Sequence, residues 1–241
     1  MVESGPKAIR RVDHPYYYAV SIGLAVVVLT GFARTYYLKG LFGAPPLSLL
    51  LQIHGAVMTL WYALFVAQVS LVATRRVALH RKLGFAGVGL ASLVAILSIM
   101  VSFGLAKREM LAHPDSTDAP LLLGLQLFGI VLVFVILVSL AVYLRRRPDY
   151  HKRLMALAML SVLGPAITRL PLGFIANHDP SVAAIIAIGC VLICVTADTI
   201  RNRWLHPAFG WGGLFVIGSI FAVFPFAQSS IWISTVRRLL L

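Results

Sequence analysis

The sequence predicts an all-α polytopic membrane protein: a single bundle of seven transmembrane helices with a cytoplasmic N-terminus and the C-terminus outside. Three observations carry that expectation. Of 241 residues, 60% are hydrophobic and 12% charged, with a mean hydropathy of +0.91, whereas soluble domains carry about 25% charged residues. The apolar residues gather into seven runs, each near the roughly 20 residues that cross a bilayer. Basic residues fall in short bursts between the runs, unequally on the two sides, and the richer side is the cytoplasmic one.

The runs cover roughly 16–33, 47–73, 83–105, 119–144, 151–176, 181–200 and 208–232. "DHP" (13–15), "HDP" (178–180) and "LHP" (205–207) place a polar residue before a proline, which suits a helix N-cap followed by Pro at the first helical position. "PP" at 45–46 opens the second run in the same way. The first run is no secretory leader, because it lacks a small-residue cleavage site and Arg34 follows at once. Counting connections, fourteen Lys and Arg share a side with Lys7, Arg75, Arg145, Lys152 and Arg201, and six share the other with Arg34, Lys107 and Arg237. The burst "RRRPDYHKRLM" (145–155) thus marks a cytoplasmic boundary. No connection is long enough for a second domain. The net charge of +13 reads as topology and attraction to anionic lipid, not as nucleic-acid binding. Cys190 and Cys194, at i, i+4 spacing inside an apolar run, read as packed thiols rather than a disulfide framework.

Ionisable and polar groups inside apolar runs cost roughly 2.5–3.5 kcal/mol on insertion scales, so each exception is a candidate for function. They are His54, Gln68, Gln126, Arg169 and Asp198. His54, Gln126 and Arg169 each fall about two turns from the outer end of a helix, on the order of 10 Å deep at 1.5 Å per residue. His54, Trp61 and Gln68 recur every seven residues and form one stripe on the second helix. Pro165 removes the donor for the Ser161 carbonyl, and a broken helix beside a buried arginine often marks a membrane binding site. His54, Trp61, Gln126 and Arg169 are therefore candidate ligand-binding residues. The bland alternative is an Arg169 satisfied by backbone carbonyls and headgroups.

At the inner level His14, His80, His151 and His206 each stand at a helix start. A cation is unfavourable at a helix N-terminus, so these imidazoles are expected neutral, as caps or as metal ligands. No HxxxH or HExxH element pre-organises them.

The pieces "HGAVMTLW…Q", "LHRKLG", "HKRLM" and "HPAFGWGG" resemble a widespread group of bacterial seven-helix multi-pass membrane proteins. The likeness runs over nearly the whole chain and implies the seven-helix architecture, with no activity attached; the expected location is the bacterial inner membrane. His54 to Gly84 is also similar to the transmembrane b-type cytochromes that reduce ferric iron or exchange electrons with ascorbate. Those proteins bind two haems through histidine pairs in a four-helix core. The resemblance implies an inner haem b held by His80 and His151. It would make His54 an outer ligand, but this chain has Gln126 where the partner histidine is expected.

Three functions follow as expectations. One is b-type-cytochrome-like electron transfer, with a quinone or anionic reductant near the outer face. The second is non-redox binding or transport of a small anionic or lipidic molecule. The third is an accessory subunit of a larger membrane complex. A retinal protein is excluded, since the last run has no lysine, and a GxSxG hydrolase motif is absent.

Overall fold

The computed structural model describes residues 13–173 and 180–241, with side chains from Pro15 to Gly173 and from Ser181 onward. All regular structure among them is helical. Helix α1 (Asp13–Phe32) runs into a wider π-turn at Ala33–Tyr37. It is followed by α2 (Leu49–Ala73), α3 (Val77–Ala112) and α4 (Asp118–Tyr143), the last containing a π segment at Leu125–Val131. Then come α5 (Pro148–Ser161), the single turn α6 (Gly164–Ile167), α7 (Pro180–Asn202), α8 (Pro207–Ala227) and α9 (Ser230–Leu240).

Six helices among the described residues are long and apolar enough to cross a membrane: α1, α2, α3, α4, α7 and α8. The chain is thus a multi-pass helical protein whose outward faces meet lipid.

The fifth run departs from the single helix over 151–176 that hydropathy suggests. Helix α5 stops at Ser161, four residues before Pro165, the ring of which supplies no N–H to continue the ladder. The chain resumes as one turn, α6, with Pro165 in its first positions. Helix α5 is also the most enclosed element. Leu154, Ala156, Leu157, Ala158 and Met159 are all buried, and Tyr62 of α2 donates to the Met159 carbonyl at 3.4 Å.

The seventh run divides as well. Helix α8 ends at Ala227 just after Pro225, and Ser229 caps a new helix, its Oγ accepting from the Trp232 N–H at 3.3 Å. Helix α9 lies against the α3–α4 turn. There Trp232 donates to the Pro120 carbonyl at 2.8 Å, and Val236 and Leu240 join Met110 and Leu123 in a small separate core. The second helix starts at Leu49 rather than at the prolines, because Ser48 is the residue whose side chain accepts from the Leu51 N–H. The "LHP" reading holds: His206 caps α8 with Pro207 behind it. The "HDP" cap at 178–179 lies outside the described residues.

The turns after α2, α4 and α7 meet at one end, called here the basic end because they carry Arg75, Arg147 and Arg203. Arg75 and Arg203 adopt φ of 61° and 59°, a region where side chains are uncommon. At the far end, Gly31 of α1 touches the Ala166 carbonyl of α6, and Gly124 of α4 touches Ala227 of α8.

Candidate functional site

The polar interior of the basic end is organised by α5. His151 and Arg153 are two residues apart, about 200° around the helix, so they point to opposite sides.

On one side Arg153 forms a buried, forked ion pair with Asp198 of α7. Nε donates to Oδ2 at 2.8 Å and Nη2 to Oδ1 at 3.1 Å, and the two residues are 2% and 1% exposed. The remaining nitrogen, Nη1, donates to the Asp149 carbonyl at 3.0 Å. Tyr17 of α1 adds a 3.3 Å bond to Oδ1, and the guanidinium lies 5.7 Å from the centre of the Phe209 ring of α8. Four helices are thereby tied at one carboxylate. Around it, Tyr16 donates to the Cys194 carbonyl at 2.6 Å, Lys152 rests over the Tyr17 ring at 5.5 Å, and Asn202 donates to the Asp198 carbonyl at 2.8 Å. A planar guanidinium matched to a carboxylate is the strongest geometry available to an ion pair.

On the other side His151 meets His80 of α3. Their ring centres are 6.3 Å apart and the planes 82° from parallel. Nδ1 of His151 lies 2.8 Å from the Ala141 carbonyl of α4. A carbonyl only accepts, so the proton is on Nδ1 and the Nε2 lone pair is free. Gln68 of α2 holds His80. With its amide nitrogen toward the ring it is 2.7 Å from Nδ1 and 3.2 Å from the His80 carbonyl, while its oxygen accepts from the Gly84 N–H at 3.1 Å.

His206 belongs to neither group. Its Nδ1 accepts from the Ala208 N–H at 3.1 Å, and its ring packs against Tyr150 and Trp204 at 4.7 and 5.1 Å. Burial, and then the Arg153 charge, lower its pKa, so it stays neutral. The side chain of His14 lies outside the described residues. Of the four inner histidines, then, His80 and His151 are brought together and His206 is spent as a cap. Among the described residues no three His, Cys, Asp or Glu side chains converge as a metal site.

The outer candidates are dispersed differently. Arg169 hydrogen-bonds the Pro165 carbonyl at 2.7 Å and covers the Phe32 ring at 5.1 Å. It is thus satisfied locally at the helix break. His54 and Trp61 line one face of α2, with Trp61 edge-on to Phe134 at 5.4 Å, and Gln126 lies within the π segment of α4.

Arg153 and Tyr17 are the polar residues that sequence reasoning passed over. Arg153 reads as one more boundary charge, and only Asp198, an acid stranded in an apolar run, signals that a cation must stand opposite. Comparison of the chain with protein families, with curated proteins and with solved structures finds no match in any of the three.

Proposed function

We propose that this protein is a seven-crossing inner-membrane protein that moves electrons through a haem b held by His80 and His151. The observation that carries the reading is the pairing of these two rings. They come from positions 71 residues apart, yet stand 6.3 Å centre to centre. Two imidazoles brought this close from separate helices could both ligate one haem iron.

The surroundings fit the same role. Histidine ligands commonly donate the far ring N–H to a carbonyl, as His151 does to Ala141. For Nε2 of His80 to be a ligand, Gln68 must turn its amide oxygen to Nδ1, giving up its bonds to the His80 carbonyl and the Gly84 N–H. A haem bound there would supply one-electron transfer between ferric and ferrous iron. The chain's own contribution is to fix both imidazoles, with Arg81 beside His80 and Arg145 and Arg147 in the turn that leads into α5, cations of a kind suited to the propionates. Broken α5–α6 serves as the seventh crossing, and the arginine-rich turns lie in the cytoplasm, where positive connections are retained.

The optical spectrum of the purified protein tests this. The expected result is a Soret band that sharpens and shifts on dithionite reduction, and is lost in His80→Ala and His151→Ala. Native protein purified with haem in the growth medium and still showing no Soret band sinks the reading.

A further inference from the structure

Two buried nitrogens on α2 have no hydrogen-bond partner: Nε1 of Trp61, a residue only 4% exposed, and Nδ1 of His54. At bilayer depth no bulk water is available to satisfy them, and an unpaired buried donor in a native fold calls for an explanation. The two residues are seven apart, which is two turns, so both point from the same face of α2. That face meets α4 at Phe134.

The π segment of α4 decides what lies opposite His54. In an unbroken α-helix Leu127 would stand two turns outward from Phe134. The wider π turns take up one more residue, and Gln126 occupies that place instead. Ile130, midway between, lies 4.0 Å from where a side chain on Gly164 would begin, so this face of α4 looks at the break between α5 and α6. Gln126 therefore faces inward at the depth of His54, and it too makes no hydrogen bond among the described residues. π segments recur at functional sites for this reason: they re-aim a side chain.

We infer that the face of α2 turned toward α4 and the broken span binds a 1,4-quinone, one carbonyl accepting from the Trp61 Nε1–H and the other from His54. The spacing agrees with that ligand. Seven residues at 1.5 Å separate the two side chains by about 10.5 Å. The carbonyl oxygens of a para-quinone are about 5 Å apart, and with a hydrogen bond of about 2.9 Å at each end the span is about 11 Å. Gln126 stands beside the His54 end to donate to the same oxygen. His54 and Gln126 are half-buried, so the outer end of this face is the one nearer the surface of the bundle. This site is separate from the His80–His151 pair and is read by binding alone.

The test is equilibrium binding of a radiolabelled short-chain 1,4-benzoquinone to the full-length protein in nanodiscs, with empty nanodiscs subtracted. The native protein is expected to bind saturably. Trp61→Phe keeps an aromatic edge against Phe134 but removes the N–H, and is expected to bind at least tenfold more weakly. His54→Leu gives the same decision should Trp61→Phe fail to fold, and Trp211→Phe, on an exposed face, is expected to match the native protein. Quinone uptake that never saturates overturns the inference, as does a folded Trp61→Phe or His54→Leu that binds within twofold of native. The optical spectrum plays no part in this measurement, so the two readings fail separately.

Discussion

Replacing Asp198 by asparagine keeps its size and removes its charge, leaving the Arg153 guanidinium, 2% exposed, with only the largely exposed Asp149 carboxylate 3.9 Å away as a counter-charge. Breaking one side of a buried pair typically costs about 3–5 kcal/mol, because the surviving charge keeps its desolvation penalty. Nε and Nη2 of Arg153 lose their carboxylate, while Nη1 keeps the Asp149 carbonyl at 3.0 Å and the Asp149 carboxylate at 3.9 Å, so the whole of that range applies. At the slope of roughly 2–4 °C per kcal/mol for chains of this length, the melting temperature in one fixed detergent falls by about 6–20 °C. The double variant Arg153→Met/Asp198→Leu removes both charges and restores most of the loss, as apolar replacement of a whole pair usually does. The assay is thermal melting of native, Asp198→Asn, the single variants Arg153→Met and Asp198→Leu, and the double variant, the last three and native read as a double-mutant cycle. An Asp198→Asn protein melting within about 2 °C of native would refute the reasoning. So would a double variant no better than either single one.

Four further outcomes follow. His206 must keep a lone pair on Nδ1 for the Ala208 N–H, and burial, then Arg153 and to a smaller extent Lys152, lower its pKa in the fold, partly offset by Asp149 and Asp198. The unfolded chain therefore binds the proton more readily, so stability is intact above about pH 6.5 and declines as pH falls below it. Melting at pH 7.5 and 5.5 checks this, and His206→Asn, which retains a cap, is expected to lessen the difference. In Gly31→Ala the new methyl group meets the Ala166 backbone, which cannot swing away, so a loss of about 1–3 kcal/mol is expected in the same melt. Gly55→Ala meets only the Tyr36 ring and is expected to lose less, about the 1 kcal/mol of the Tyr36–Gln52 hydrogen bond. In haem-loaded protein, Gln68→Glu places a carboxylate on the His80 Nδ1–H, raises the basicity of the ligand and is expected to lower the midpoint potential in a redox titration followed at the Soret band.

Hydropathy and punctuation carried much of the fold. The six long helices, the proline behind His206 and the tight basic turns all follow from local composition, because a bilayer demands continuous apolar length. The fifth run was legible only in part: Pro165 announces a free carbonyl at Ser161, but whether a helix kinks or stops there depends on what packs against it, here Gly31 on Ala166. Similarly, Pro225 lies inside α8 without ending it; that helix runs on to Ala227, and Ser229, whose hydroxyl takes the Trp232 N–H, starts the next one. At the candidate site the individual histidines were visible and their partners were not. Nothing local distinguishes His151, which meets His80, from His206, which folds back on its own helix. The shared carboxylate of Asp198 is a tertiary fact, joining residues 45 and 181 positions apart.

That arrangement bears on how the chain is made. The segment from Pro148 to Ser161 leaves the ribosome carrying Asp149, His151, Lys152 and Arg153 in its first two turns, a poor passenger for lateral release into lipid. Its counter-ion is synthesised 45 residues later, and at 5–20 residues per second that interval is about 2–9 s. During it the half-finished protein must keep an uncompensated guanidinium sheltered, inside the translocon or against the four helices already inserted, until α7 brings the carboxylate to meet it.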